Sequence, residues 1–134
     1  MVEAPWDGCV ASSDATSRAW FTRTQLPLMS WSSQAQGFFA WGDSPRWAWN
    51  SFRRCWSAED NVQRLARAAE LGRQKGVSAM NIALAYVLNQ PFPTFALVGP
   101  ENPTETRLLL PGLHTVLTPE ELAWLNLETE RVEA

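Results

Sequence analysis

The stretch from Ser78 to Pro91 constrains this chain more than any other. Its interior, Ile82 to Leu88, is apolar almost all round. A helix with no polar face to leave in water must be covered by other elements on every side. Ser78 stands where such a helix begins, and Asn89 and Gln90 close it before Pro91. The chain therefore needs a core, and the flanking segments must supply it.

Those segments alternate in type. Residues 1–13 read as irregular, punctuated by Pro5, Gly8 and the Ser12–Ser13 pair. Asp14 is placed to N-cap a short helix reaching about Arg23, with Trp20 and Phe21 at or near its buried side. Leu26 to Trp31 reads as a short strand, apolar on both faces apart from Ser30, and so predicts cover on both sides. A long connection, Ser32 to Trp56, is rich in Gly, Ser, Trp and Phe, and loops of that length carry function or further structure. Ser57 with Asp60 resembles a capping box, and Val62, Leu65, Ala66 and Ala69 form one apolar stripe behind it. Arg73 and Lys75 suit the last turn of that helix, and Gly76 suits a left-handed cap. After Pro91 and Pro93, Phe95 to Val98 reads as a second buried strand, broken by Gly99–Pro100. Asn102 and Pro103 open the next helix, which Pro111–Gly112 is expected to interrupt. Thr118-Pro119-Glu120-Glu121 opens the last one, with Leu122 and Leu125 on one face. Strands alternating with helices predict a parallel α/β arrangement.

Composition removes several functions. A net charge of −3 and scattered arginines give no electrostatic reason to bind nucleic acid or an anionic membrane. Two cysteines, Cys9 and Cys55, suggest neither a disulfide framework nor a zinc site, and His114 is the lone histidine. The start MVEAPWDG lacks the features of a secretory signal, and no apolar run reaches the ~20 residues of a membrane span. A cytoplasmic setting is the resulting expectation. The eight tryptophans, six of them between Trp20 and Trp56, suit core packing or the wall of a ligand site. No G-x-S-x-G turn supports a serine hydrolase built on Ser32.

Two stretches point further. Leu28-Met29-Ser30-Trp31-Ser32-Ser33-Gln34-Ala35-Gln36-Gly37-Phe38-Phe39 resembles the aldo/keto reductase pattern x-x-x-Y-S-P-L-A-x-G-x-L at the seventh barrel strand. Gly76-Val77-Ser78 through Tyr86-Val87-Leu88-Asn89-Gln90, then Phe95-Ala96-Leu97-Val98-Gly99, is similar to that family's helix and eighth strand. Leu117-Thr118-Pro119-Glu120-Glu121-Leu122 looks like the opening of its last helix, so the resemblance covers roughly residues 20–128. The implied fold class is α/β, a partial (β/α)8 TIM barrel made of the last two strands with their helices. In such barrels ligands gather at the C-terminal strand ends, with phosphates after strands seven and eight.

The resemblance implies NADPH as cofactor. Trp31 stands where the family has an aromatic that stacks on the nicotinamide, and Ser32 stands at its serine near the cofactor's phosphate and ribose end. Ser33, Gln34 and Gly37 belong to the same turn, with Ser33 in place of the usual proline. After the second strand, Gly99, Pro100, Glu101 and Asn102 lead into a helix N-terminus that could hold an anion. Glu101 and Glu105 sit near the phosphate position, where acids would repel it, and Arg107 is the only local cation. Leu108–Leu109 occupy the place of the family's adenine-contacting Glu-Asn pair.

The family's catalytic tyrosine, lysine, aspartate and histidine lie earlier in the barrel than this stretch. Tyr86 and Lys75, each the only one of its kind, and His114 stand in other contexts. The implied role is therefore the cofactor-binding C-terminal part of a carbonyl oxidoreductase, inactive alone, whose partners are the cofactor and a missing N-terminal barrel segment. The competing reading is a non-catalytic module that docks another chain through its Trp-rich loop and open strand edges. Two strands alone leave edges unpaired, so marginal stability is also expected.

Overall fold

Asp14 starts the first helix as its side chain dictates. In the computed structural model, which describes Ala4, residues 6–41 and residues 53–130, the Asp14 carboxylate accepts from the Ser17 amide at 2.9 Å and from the Ser17 hydroxyl at 2.6 Å. Helix α1, Ala15–Thr24, ends where Gln25 turns left-handed at φ 53°. Phe21 stacks on Phe92 at 5.2 Å, whereas Trp20 stays largely in solvent and no α1 residue is fully buried. The expected buried side of α1 thus reduces to Phe21.

Strand β1, Leu28–Ser30, pairs in parallel with β2, Thr94–Ala96, in the register Leu28↔Thr94, Met29↔Phe95, Ser30↔Ala96. Both strands are shorter than their apolar runs. The ladder ends are closed by Leu28 N–H donating to the Pro93 carbonyl at 2.9 Å and Leu97 N–H to that of Ser30 at 2.8 Å. Cover on both sides does not form. Met29 is 66% and Phe95 58% exposed, and Leu97 and Val98 are exposed too. Leu28, Ser30, Thr94 and Ala96 face the helices, while the alternate residues face out, no layer among the described residues opposing them.

Among the described residues, between the strands lie a 3-10 turn at Ala35–Gly37 and four helices: α2 (Phe38–Trp41), α3 (Arg53–Trp56), α4 (Glu59–Lys75) and α5 (Ala79–Leu88). The rest of the long connection, 42–52, falls outside the described residues. Helix α4 does not use the Ser57/Asp60 box. Its N-cap is Ala58, without a side-chain bond, and Glu59 and Asp60 sit in the first turn where the helix dipole favours acids. Its buried face is also rotated from the expected stripe: Ala68, Leu71 and Gly72 are buried while Val62 is exposed. Leu65, Ala68 and Leu71 repeat at helical spacing as well, and the stems of Arg64 and Arg67 extend that face where the apolar count saw only charge. Gly76 takes the left-handed cap at φ 72°, as the sequence predicts.

Helix α5 is the centre. The Ser78 hydroxyl accepts from the Asn81 amide, and Asn81 to Ala85 are buried without interruption. Ile82 and Ala85 join Ala68, Leu71, Leu117, Trp124 and Leu125 in the main core. Asn89 closes α5 and holds the next turn, its amide donating to the Thr115 carbonyl at 3.0 Å and accepting from Leu117 N–H at 3.2 Å.

Helix α6, Pro103–His114, runs straight through Pro111–Gly112 and corrects the expected break. Pro111 has no N–H to give the Arg107 carbonyl one turn back, and at the helix end the Thr115 hydroxyl donates to the Pro111 carbonyl at 2.8 Å. Gly112 lets α6 approach α5 so closely that a Cβ would lie 3.0 Å from the Asn81 carbonyl oxygen. Helix α7, Pro119–Leu125, carries the full Thr118/Glu121 capping box and buries Trp124 and Leu125, with Leu122 packed against the same core. Lys75 pairs with Glu121 at 2.8 Å, and the Arg67 guanidinium donates to the Trp124 carbonyl at 2.6 Å, so α4 and α7 are tied at two points. Among the described residues, no helix is long and apolar enough to cross a membrane.

Candidate functional site

Parallel pairing sends the C-terminal ends of β1 and β2 out on the same side. The segments leaving the two strands on that side form the site. Ser30 hands over to a turn, residues 31–34, that is held by its own side chains and backbone. Ser32 adopts the left-handed region at φ 49°, and its carbonyl accepts from Ala35 N–H at 2.8 Å. The buried Ser33 hydroxyl donates to the Ser30 carbonyl at 2.9 Å, and the Gln34 amide reaches the Met80 carbonyl on α5 at 3.4 Å. Gly37 closes the turn at φ 93°. Ala35 and Gln36 are also left-handed. Three non-glycine residues in that region within five positions store strain of about 1–3 kcal/mol each, a pattern met at ligand-binding turns.

Behind this turn lies a cavity of about 410 Å³ between the sheet, α4, α5 and residues 10–13. Trp31, Ser32 and Ser33 line it together with Phe38, Trp56 and Tyr86. Trp31 is half-buried, its ring 4.8 Å from that of Trp6 and 6.3 Å from that of Trp56. Gln34 and Gly37 shape the turn from outside this cavity.

The loop after β2 stands apart from it. Gly99 is exposed and nothing lies within 4 Å of where its Cβ would be, so the backbone could be approached closely there. Pro100 leads to Glu101, whose N–H donates to Glu105 Oε2 at 2.8 Å. The Asn102 side chain caps Glu105 N–H at 3.0 Å and donates to Glu105 Oε1 at 3.1 Å. The Asn102 amide oxygen thus takes one first-turn N–H of the helix, and the Glu105 carboxylate takes the Glu101 N–H just ahead of it. Arg107 is exposed further along the helix and lines the groove between α5 and α6 with Arg73.

Tyr86 lies in the cavity wall, its hydroxyl donating to Asn126 Oδ1 at 3.2 Å. Burial pushes this phenol above its ordinary value, only partly opposed by the charges of Arg18 and Arg64. Lys75 is engaged by Glu121, and His114 is exposed at the end of α6. Among the described residues, no three His, Cys, Asp or Glu side chains converge as metal ligands.

Sequence reasoning missed two neighbours of Trp31. Trp6 comes from a stretch read as irregular, and Trp56 closes a connection whose folding no periodicity reveals. Their abundance was the only signal, and it named no partner.

The aldo/keto reductase family model matches residues 19–126, most of the chain and both strand ends just described. The chain belongs to the aldo/keto reductase family. No curated protein and no solved structure matches it. In this aldo/keto reductase the parallel pair β1–β2, the turn at Trp31 and the capped helix after Gly99 all fall inside the matched region.

Proposed function

We propose that this chain is the cofactor-side, C-terminal part of an NADPH-dependent carbonyl oxidoreductase. On this reading β1 and β2 are the last two strands of a (β/α)8 barrel, and the exposed residues Met29 and Phe95 face its interior. The observation that carries it is Trp31, an indole at the C-terminal end of β1 on a strained turn beside Ser32. An indole face suits a nicotinamide ring, and the Ser32 hydroxyl suits the sugar–phosphate end. NADPH, when bound, supplies the hydride.

The fit is uneven. Trp31 and Ser32 suit the nicotinamide half. Around Glu101–Glu105 the Glu101 N–H is engaged by the Glu105 carboxylate and the Glu105 N–H by Asn102, and Arg107 is the local basic group for a 2′-phosphate. The proposed preference for NADPH over NADH is correspondingly weak.

Reductase chemistry needs a proton donor beside the nicotinamide. Tyr86 is held to Asn126 on the helix-covered side of the sheet, and Lys75 is paired with Glu121. The isolated chain is therefore proposed to bind cofactor without turning over. Its thiols Cys9 and Cys55 are free, in keeping with a cytoplasmic setting.

The test is calorimetry with NADPH on the purified chain, beside an absorbance assay with an aldehyde substrate. Binding should fall at least tenfold in Trp31→Ala and clearly in Ser32→Ala, with no turnover in any variant. Unchanged affinity in Trp31→Ala would remove the cofactor reading, and turnover would remove the inactive one. The exposed apolar residues Met29, Phe95, Leu97 and Val98 favour a second reading, a module that docks another chain along the open sheet. A folded monomer that binds no partner would contradict it.

A further inference from the structure

Trp6 rests on Trp31, with ring centroids 4.8 Å apart and planes tilted by 44°. We propose that Trp6 is a displaceable cap on Trp31, so that the N-terminal stretch and a nicotinamide ring compete for one indole surface. This rests on the reading of Trp31 above and adds regulation to it.

The two neighbours of Trp31 differ in how firmly they are held. Trp56 belongs to α3, its carbonyl accepts from the Asn61 side chain at 2.9 Å, and its indole nitrogen is buried. It is a fixed wall. Trp6 is 53% exposed and sits at a tight turn closed by Cys9 N–H donating to its carbonyl at 3.2 Å. Gly8, left-handed at φ 77°, makes that turn possible and folds the segment back. Val10 to Ser13 then run along the cavity before Asp14 caps α1.

Aromatic pairs attract at centroid separations of about 4.5–7 Å, and at 4.8 Å Trp6 is within that range of Trp31, which on this proposal is the zone a stacked ligand ring needs. Half of its surface is already in water, so Trp6 gives up less burial on leaving than a core tryptophan would. Cofactor binding must therefore break one aromatic contact before it makes another, and the apparent affinity is lowered by that contact. Longer or shorter occupancy of the closed form sets how much cofactor the turn at Trp31 accepts.

The test uses the full chain with NADPH, comparing Trp6→Ala and Trp6→Phe by calorimetry and tracking indole N–H signals by NMR. Trp6→Ala should bind about two- to tenfold tighter, the range one aromatic pair spans, and Trp6→Phe should lie near the parent chain. In the parent chain, saturating NADPH should move the Trp6 indole signal to that of a solvated indole. Equal or weaker binding by Trp6→Ala, or saturation with the Trp6 signal unmoved, overturns the proposal. Failure of the cofactor reading itself looks different. Neither the parent nor Trp6→Ala would then bind NADPH, although Trp6→Ala still shifts the Trp31 signal, and Trp6 would be a structural aromatic contact only.

Discussion

At the scale of single residues, function divides between side chains that face a ligand position and side chains spent on the fold. Ser33 and Gln34 belong to the second group, because their polar atoms hold Ser30 and Met80 backbone oxygens. Trp31 and Ser32 are the two proposed for the first. Tyr86 shows how a chemically suggestive residue is withdrawn: burial raises the pKa of its phenol, and its hydroxyl donates to Asn126. Its folded-state pKa is raised above the ordinary 10.0, so its contribution to stability is present below that value and lost as pH climbs through the folded one. Tyr86 is the only tyrosine, so phenolate absorbance in an alkaline titration reports it alone. The midpoint should lie above that of the unfolded chain, and a midpoint at or below it would show that the hydroxyl is not buried as described. In the sequence, Trp31 and Ser32 are proposed only through the family resemblance. The partners of Ser33, Gln34 and Trp31 were not legible there, since each bond crosses a turn or a sequence distance that no pattern encodes.

Elements were legible where a local rule decides them. Asp14, Ser78, Asn102 and Thr118 each cap the helix their side chains predict, because an N-cap bond closes within three residues. Rules that depend on neighbours failed. Ser57 lost its cap to Ala58, the α4 stripe rotated toward Ala68 and Leu71, and α6 absorbed a proline. The last case has a packing cause. At Gly112 a Cβ would meet the Asn81 carbonyl oxygen at 3.0 Å and a Leu84 methyl at 3.1 Å, and α5 is buried too deeply to yield. Gly112→Ala should therefore lower stability by about 1–2 kcal/mol, overpacking outweighing alanine's better helix propensity. Thermal unfolding monitored by circular dichroism checks this, and an unchanged or raised midpoint would mean that α5 and α6 are looser than described.

For the whole molecule, the core is helical and the sheet is a thin plate on its side. Helices α4, α5 and α7 bury one another through Leu71, Ile82 and Trp124, whereas β1 and β2 contribute little but position. That division explains why fold class was readable and sheet cover was not. Apolar strands report that a face wants burial, and they do not say whether the covering layer lies within the same residues. Met29 and Phe95 thus remain in solvent while the turn at Trp31 is fixed by the pairing behind it. Within the aldo/keto reductase family, the proposed function makes this plate the support for a nicotinamide site at the end of β1. The most direct measurement is an NMR search for magnetisation transfer between the nicotinamide protons of NADPH and the indole protons of Trp31 in the full chain. Transfer to Trp31, abolished in Trp31→Ala, is the expected result. A folded chain that shows none, or transfer from the adenine protons alone, would contradict a nicotinamide site there.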